Sequence, residues 1–220
     1  MHIPDGVINA TTSAGFGAVA AGGFGLAVRR TRDTLNDRQV PMAALTAAFV
    51  FAAQMVNFPV IAGMSGHLLG GVLAAVLVGP AAGMLVITVV LVVQALVFAD
   101  GGLTALGLNI VNMGVVGAIG GYVVYRVLRR VLPDRPGTVA TAAGIAAFVS
   151  VPLAAMGFVI QFAIGGTADV SLGAVLTAML GTHVLIGIGE GVITGLVVGA
   201  VMTSRPDVVP GVRPRAAVEV

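Results

Sequence analysis

Long apolar runs dominate this chain and leave few ways for it to fold. A helix needs about 20 apolar residues to cross the hydrocarbon core of a bilayer. Only 9% of the residues are charged, whereas soluble domains carry about 25%, so the chain cannot cover itself with a solvated surface. The sequence therefore predicts an all-α integral membrane protein with seven transmembrane helices. The apolar runs cover residues 10–28, 41–58, 67–79, 81–99, 104–128, 138–165 and 172–203.

The basic residues predict how these helices are oriented. All eleven are Arg, and they lie in the connections 29–38 and 126–135 and after the last apolar run. Basic residues stay on the cytoplasmic side of a membrane. Seven helices that start from an outer N-terminus place every Arg inside and Asp5, Asp100 and Asp169 outside. We therefore expect an outer N-terminus and a cytoplasmic C-terminus in a multi-pass membrane protein.

The same composition limits domains, partners and chemistry. Residues 1–203 contain all seven apolar runs and are expected to form a single transmembrane domain, and the Pro-rich residues 204–220 are expected to be a disordered cytoplasmic tail. The lipid bilayer is the expected environment, and the net charge of +2 gives no reason to expect a nucleic-acid partner. No Cys, no Lys and no G-x-x-x-x-G-K-[ST] motif is present in the sequence, which excludes thiolate sites and ATP hydrolysis by a P-loop of this chain.

A short polar segment, "MHIPDG", precedes the first apolar run. It lacks the basic region of a secretory signal, and we expect Met1 to be retained because His2 is bulky. The α-amine of Met1, the amide nitrogen of His2 and Nδ1 of its imidazole can close two fused chelate rings on one metal ion. One further imidazole would complete a planar set of four nitrogens, the geometry of Ni(II) or Cu(II). His67 is the expected fourth ligand and His183 the competitor; the alternative is that His2 is an ordinary surface residue.

Polar residues inside the apolar runs are candidates for function, because polar groups are costly in hydrocarbon. Several fall in the outer half of the predicted bundle, where they would line one outward-facing cavity together with the N-terminal segment. The candidates for this cavity are Asp5, Asn57, Gln94, Asn109, Asn112 and His183.

Two other features leave alternatives open. Glu190, in "GIGEGVIT", lies at mid-membrane depth and would serve a proton-coupled secondary permease for a cation, or simply hydrogen-bond between helices. A membrane enzyme built on Ser150 and His183 is disfavoured, because the motif around a serine nucleophile is absent. The small residues Ala44, Ala48 and Ala52 share one helix face, which suits close docking of partner helices.

Five segments together resemble the CbiM/NikM family, the substrate-binding (S) components of energy-coupling factor transporters for cobalt or nickel. The resemblance extends over residues 1–203, and Asp37 replaces a Glu that is frequent in the family. The segments are "MHIPDG", "DRQVPMAALTAAFVFAAQMVNFPV", "GMSGHLLGG", "VQALVFADGGLTALGLNIVNMG" and "GIGEGVIT".

This resemblance implies a location in a prokaryotic inner membrane, a fold, a cargo and partners. The fold is the six-helix S-component fold with one additional N-terminal helix. Co(II) or Ni(II) would be bound as the transported substrate by Met1, His2 and His67, and cobalt would supply cobalamin biosynthesis. The expected partners are a membrane coupling (T) protein, two ATP-binding cassette ATPases and a small two-helix accessory protein. Because the chain ends about 17 residues after its last apolar run, we expect the accessory protein to be separate. The residues do not distinguish cobalt from nickel.

Overall fold

A computed structural model describes residues 1–32, 39–133 and 135–210 of the chain. Most of these residues are helical. The helices are α1 (Ala10–Arg32), α2 (Gln39–Gln54), α3 (Gly71–Val78), α4 (Pro80–Val97), α5 (Leu106–Asn109), α6 (Gly121–Val131), α7 (Pro136–Gly165) and α8 (Leu172–Ser204). A π-helical segment, Ile110–Gly120, joins α5 to α6, so that Leu106–Val131 is one continuous helix.

Five helices in the described part of the chain are long and apolar enough to cross a membrane: α1, α4, Leu106–Val131, α7 and α8. They confirm a mostly helical, multi-pass membrane protein. The second and third of the seven predicted spans are occupied by α2 and α3, which have only 16 and 8 residues. The count of seven full spans therefore stays a prediction.

The connection between α2 and α3 corrects the sequence-based boundaries. We expected helices over 41–58 and from 67 onward, but Asn57–Ile61 (β1) and Met64–His67 (β2) form an antiparallel hairpin that pairs Asn57 with His67. Pro59 explains the early end of α2, because proline disfavours helix at the residue before it and removes a backbone donor. Asn57 and His67 are thus strand residues, and the fold is not purely α-helical.

The N-terminal residues 1–9, which we call the hook, cross one end of the helix bundle. The amide of Ser65 in the hairpin donates to the His2 carbonyl at 3.4 Å, and that of Thr167 donates to the Val7 carbonyl at 2.9 Å. Asn9 then caps α1, its side chain accepting from the Thr12 amide at 2.9 Å. The hook, the hairpin and the loops 98–105 and 166–171 together form the hook end of the bundle.

The long helices α7 and α8 pack closely against each other. A Cβ on Gly144 of α7 would lie 2.7 Å from the Gly191 carbonyl oxygen of α8, so only glycine permits this approach of the two backbones. The predicted boundary between the third and fourth apolar runs, at residue 80, is confirmed, since α3 ends at Val78 and α4 starts at Pro80. Small residues here serve packing within the chain.

Described arginines are grouped at one end of the helices. The described arginines at the ends of α1 and α6 (Arg29, Arg30, Arg32, Arg129 and Arg130) lie away from the hook. Arg38 and Asp37 lie outside the described residues, as do Arg213 and Arg215. Within the expected tail, Pro206–Val208 form a 3₁₀ turn and Val209 is buried. The direction of insertion in the membrane stays a prediction.

Candidate metal site

The first three residues of the hook are buried almost completely. Met1 and Ile3 are 0% exposed and His2 is 3% exposed. Asn109 of α5 holds this segment with both atoms of its amide: Oδ1 accepts from the Ile3 N–H at 3.0 Å, and Nδ2 donates to the Ile3 carbonyl at 3.3 Å. The Gly102 amide donates to the same carbonyl at 2.9 Å. A buried backbone needs such partners, so Asn109 fixes the hook by satisfying it.

The next residues of the hook turn it toward α1. The carboxylate of Asp5 accepts two hydrogen bonds from Thr104, from the backbone N–H at 2.7 Å and from the hydroxyl at 2.6 Å. Gly6 has φ of +82°, a conformation that glycine adopts without strain. A Cβ on Gly102 would clash with the backbone nitrogen of Asp5, so the loop can lie against the hook only because this position is glycine. Asp5 therefore belongs to the docking of the hook and is itself exposed.

The imidazole of His2 in the hook lies against the imidazole of His67 in the hairpin. The rings of His2 and His67 have centroids 4.3 Å apart, and His67 is 0% exposed. Nδ1 of His67 lies 2.7 Å from the Leu68 carbonyl oxygen. Because a carbonyl only accepts, this nitrogen carries the hydrogen and Nε2 carries the lone pair. Nε2 of His67 has no partner among the described residues, so it is a buried nitrogen donor ready for a ligand.

Asp100 is a site residue that sequence reasoning missed. Its Oδ1 lies 3.0 Å from Nδ1 of His2, and its Oδ2 accepts a hydrogen bond from Asn57 Nδ2 at 3.3 Å. The sequence places Asp100 in "FADGG" beside two glycines, a pattern typical of a loop. We considered Asp100 only as an acidic residue on the outer side of the membrane. Asn57 reaches the site through this carboxylate.

Burial sets the protonation of the hook. The pKa of the Met1 α-amine lies well below its usual 8.0, chiefly because burial disfavours the charged form. Burial likewise lowers the pKa of His2, against the opposing effect of Asp100. The pKa of Asp100 is itself lowered, first by its hydrogen bond with His2. Neutral nitrogen donors therefore face an anionic carboxylate, and neutral amines and imidazoles are the forms that bind metals.

The predicted set of nitrogen donors differs from a metal site that is built only from side chains. In the described residues, no three His, Cys, Asp or Glu side chains are grouped so that they would hold a metal ion. The predicted set instead takes two of its four nitrogens from the backbone of the hook. The structure brings Met1, His2 and His67 together, while Nδ1 of His2 faces Asp100 in this conformation.

Two more predicted cavity residues are buried close to these groups. His183 is 0% exposed; its Nδ1 lies 2.7 Å from the Met179 carbonyl, and its Nε2 has no partner among the described residues. It lies near the Met1 amine and His67. The amide of Gln94 is buried beside His2. His183 and Gln94 thus surround the site without occupying the central position of His67.

The remaining candidates lie elsewhere. Asn112 exchanges two hydrogen bonds with Gln161, at 2.8 and 2.9 Å, so its amide is satisfied inside the bundle. Ser150 donates to the Ala147 carbonyl at 2.9 Å, and His183 is bonded to Met179, so the two do not hydrogen-bond to each other as a catalytic pair would. Ala44, Ala48 and Ala52 are exposed along α2.

Comparisons with known proteins show what this chain is similar to. The family model CbiM, described as "Cobalt uptake substrate-specific transmembrane region", matches residues 2–208. A putative metal transport protein of Haloquadratum walsbyi is 38% identical over 209 residues, which cover 95% of this chain and 93% of the relative. A putative fused nickel transport protein NikMN of Archaeoglobus fulgidus is 39% identical over 209 residues, covering 95% of this chain and 68% of the relative. A crystal structure described as a truncated transition metal transporter aligns with a TM-score of 0.85 at 31% identity, covering 92% of this chain and 99% of that one.

Proposed function

This chain belongs to the CbiM family of cobalt uptake transmembrane proteins, and we propose that it captures Co(II) or Ni(II) at the outer face of the membrane and passes the ion to the cytoplasm. The observation that carries the proposal is the buried hook, in which the His2 ring lies 4.3 Å, between centroids, from the ring of His67, whose Nε2 has no partner among the described residues. The hook end is the outer end in this proposal, because the described arginines lie away from it.

The ion would be held by four nitrogens in one plane. Three come from the hook: the α-amine of Met1, the deprotonated amide of His2 and Nδ1 of His2. The fourth is Nε2 of His67. To bind, the His2 ring must turn about its Cβ–Cγ bond, so that Nδ1 leaves Asp100 and joins the two backbone nitrogens. The proposal therefore requires Met1 to be the true and unblocked N-terminus of the protein, which an intact-mass measurement can check.

Energy for import would come from partner proteins. We propose a coupling (T) protein, two ATP-binding cassette ATPases and a small accessory membrane protein, with cobalt import serving cobalamin biosynthesis. The fused form of the Archaeoglobus fulgidus relative supports assembly with at least one further component. The exposed face of Ala44, Ala48 and Ala52 on α2 suits contact with the coupling protein, since small residues let helices approach closely.

The alternative of a proton-coupled secondary permease depends on Glu190. Such a permease needs a carboxyl group that exchanges protons with water during each cycle. Glu190 is 2% exposed, and both of its oxygens accept backbone N–H hydrogen bonds at 2.7 and 2.6 Å. A carboxylate engaged in this way suits a fixed role better than a proton carrier, so the metal-capture proposal is preferred.

Metal titration of the purified protein in detergent tests the proposal. We expect one Ni(II) or Co(II) per chain, and a diamagnetic Ni(II) complex with the absorption band of a planar four-nitrogen site. Paramagnetic six-coordinate Ni(II), or no binding at stoichiometric concentrations, would contradict it. Transport is tested in cells: uptake that continues after deletion of the partner ATPase genes would favour the permease instead.

A further inference from the structure

One peptide group stands between His67 and the buried carboxylate of Glu190. The peptide that joins Leu68 to Leu69 has its carbonyl oxygen 2.7 Å from Nδ1 of His67. The N–H of the same peptide donates to Oε2 of Glu190 at 2.7 Å. The next N–H, that of Gly70, donates to Oε1 of Glu190 at 2.6 Å. His67, one peptide plane and Glu190 therefore form a continuous chain of hydrogen bonds.

The position of Glu190 follows from the packing of α8. The side chain is 2% exposed, and α8 packs against both strands of the hairpin and against α3. Since both oxygens accept backbone N–H bonds, Glu190 binds as an acceptor, and hydrogen bonds to a charged acceptor are roughly twice as strong as neutral ones. The carboxylate thus fixes the segment that directly follows His67.

This chain of hydrogen bonds has a chemical consequence for the imidazole. A negative charge at the N–H end of a peptide polarises its carbonyl oxygen, and hydrogen bonds in a chain strengthen one another. A stronger bond from Nδ1–H to that oxygen makes Nε2 a better electron donor. Histidines that bind metals commonly donate their second N–H to a carboxylate or a carbonyl, which fixes the ring and raises its basicity.

We propose that Glu190 is a positioning residue for metal capture, which acts through the Leu68–Leu69 peptide to orient the His67 ring and strengthen Nε2 as a ligand. This inference rests on the proposed function, because it assigns His67 to the metal. It gives Glu190 a role in the affinity for Co(II) or Ni(II) without direct contact with the ion.

A purely structural role for Glu190 predicts different behaviour. The Leu69 and Gly70 amides lie at the start of α3, where unpaired N–H groups favour a negative charge. Glu190 would then stabilise the fold only. Gln54 supplies the matched control, because its Nε2 donates to the Leu69 carbonyl at 2.6 Å. Gln54 ties down the same segment, but it is neutral and it bonds the following peptide rather than the one bound to His67.

The test compares Glu190→Gln with Gln54→Met in the full chain in detergent. For Glu190→Gln we expect Ni(II) affinity to fall 10- to 100-fold, the usual effect of removing a group that supports a metal-bound histidine. We also expect the absorption band of the bound Ni(II) to move to longer wavelength, because Nε2 becomes a weaker donor. Gln54→Met loses a neutral hydrogen bond, so it should lower thermal stability yet leave affinity within about threefold.

A double-mutant cycle then shows whether Glu190 acts through His67. Cu(II) serves as the probe, because it binds nitrogen sites more tightly than Ni(II) and keeps weakened variants measurable. We expect Glu190→Gln to weaken Cu(II) binding in the wild-type background and to change it by less than about twofold in the His67→Ala background.

The outcomes separate the two claims. Equal effects of Glu190→Gln in both backgrounds, or an unmoved Ni(II) band, would show that Glu190 only stabilises the fold and would overturn this inference alone. Wild-type affinity in Glu190→Gln would do the same. If His67→Ala binds Ni(II) as tightly as the wild type, the four-nitrogen site fails, and the role assigned to Glu190 fails with it.

Discussion

The addition of one residue before Met1 tests the hook most directly. An added alanine converts the α-amine of Met1 into an amide, which removes one donor and breaks one chelate ring. It also leaves no room for the hook to dock as before, because Met1 and Ile3 are both 0% exposed. Full burial of a large apolar side chain contributes about 1.5–3 kcal/mol.

The loss can be estimated from these two side chains. If both leave their pockets, about 3–6 kcal/mol of docking free energy is lost. At about 1.4 kcal/mol per factor of ten, the docked hook becomes about 10²- to 10⁴-fold less populated. Metal affinity should fall by at least this factor, since the lost amine donor adds to it.

Competition with a chelator of known affinity measures the change, and the same residue added after Val220 is the matched control. A second measurement uses the absence of Lys from the sequence: a reagent that acylates amines should modify only Met1, and bound Ni(II) should protect it. Affinity at the wild-type level in the N-terminally extended protein, or labelling that Ni(II) does not slow, would refute the four-nitrogen site.

Three further predictions concern the donors and their support. His67→Ala should weaken Ni(II) binding by more than about 100-fold, because a residue that binds the metal directly matters more than the groups that support it. His183→Ala should have a smaller effect. If a titration shows the reverse order, His183 is the ligand. The lowered pKa values of the Met1 amine and of His2 leave both neutral at pH 7, so the His2 amide should release the single proton lost on binding. The logarithm of the affinity should then rise by about one per pH unit near neutrality, and more steeply only below those pKa values. Calorimetry in buffers of different ionisation enthalpy counts the protons released on binding. A count of zero would exclude the His2 amide as a ligand. Asn109→Ala leaves the buried Ile3 N–H without a partner at a cost of about 1–3 kcal/mol, while the Ile3 carbonyl keeps its hydrogen bond from the Gly102 amide. Ni(II) affinity should therefore fall roughly 5- to 150-fold while thermal stability changes little; unchanged affinity would show that the hook docks without Asn109.

The sequence predicted the long helices well because their apolar length has only one solution in a bilayer. The starts of α4, α7 and α8 at Pro80, Pro136 and Leu172 fall within two residues of the predicted runs. The segment between α2 and α3 was predicted wrongly, because the hairpin at Asn57–His67 is as apolar as a helix end. Hydropathy does not distinguish a hairpin of this kind from a helix end, and only Pro59 indicated that the helix stops before it.

The contact between His2 and His67 was predictable from local chemistry, whereas the contacts that depend on the fold were not; the metal-binding role of these residues stays a prediction. His2 beside a terminal amine is a chelating unit in any fold, and its pairing with His67 required only that both lie at the same end of the bundle. Asp100 was missed because its role comes from the loop that carries it back over the hook. Asn112 was placed in the cavity by its depth alone, but it pairs with Gln161 in the core, and depth gives no information about the direction of a side chain.

Charge explains how a buried site without carboxylate ligands can hold a divalent ion. The proposed nitrogens are neutral except for the deprotonated amide of His2, so the bound ion retains one positive charge. An uncompensated charge in a buried site is costly. The carboxylate of Asp100, whose side chain is 17% exposed and lies against His2, supplies the missing negative charge without entering the donor set. Hard cations such as Mg²⁺ and Ca²⁺ require oxygen ligands. The proposed site, which would present only nitrogen and take its compensating charge from outside the ligand set, would therefore exclude them and favour late transition metals.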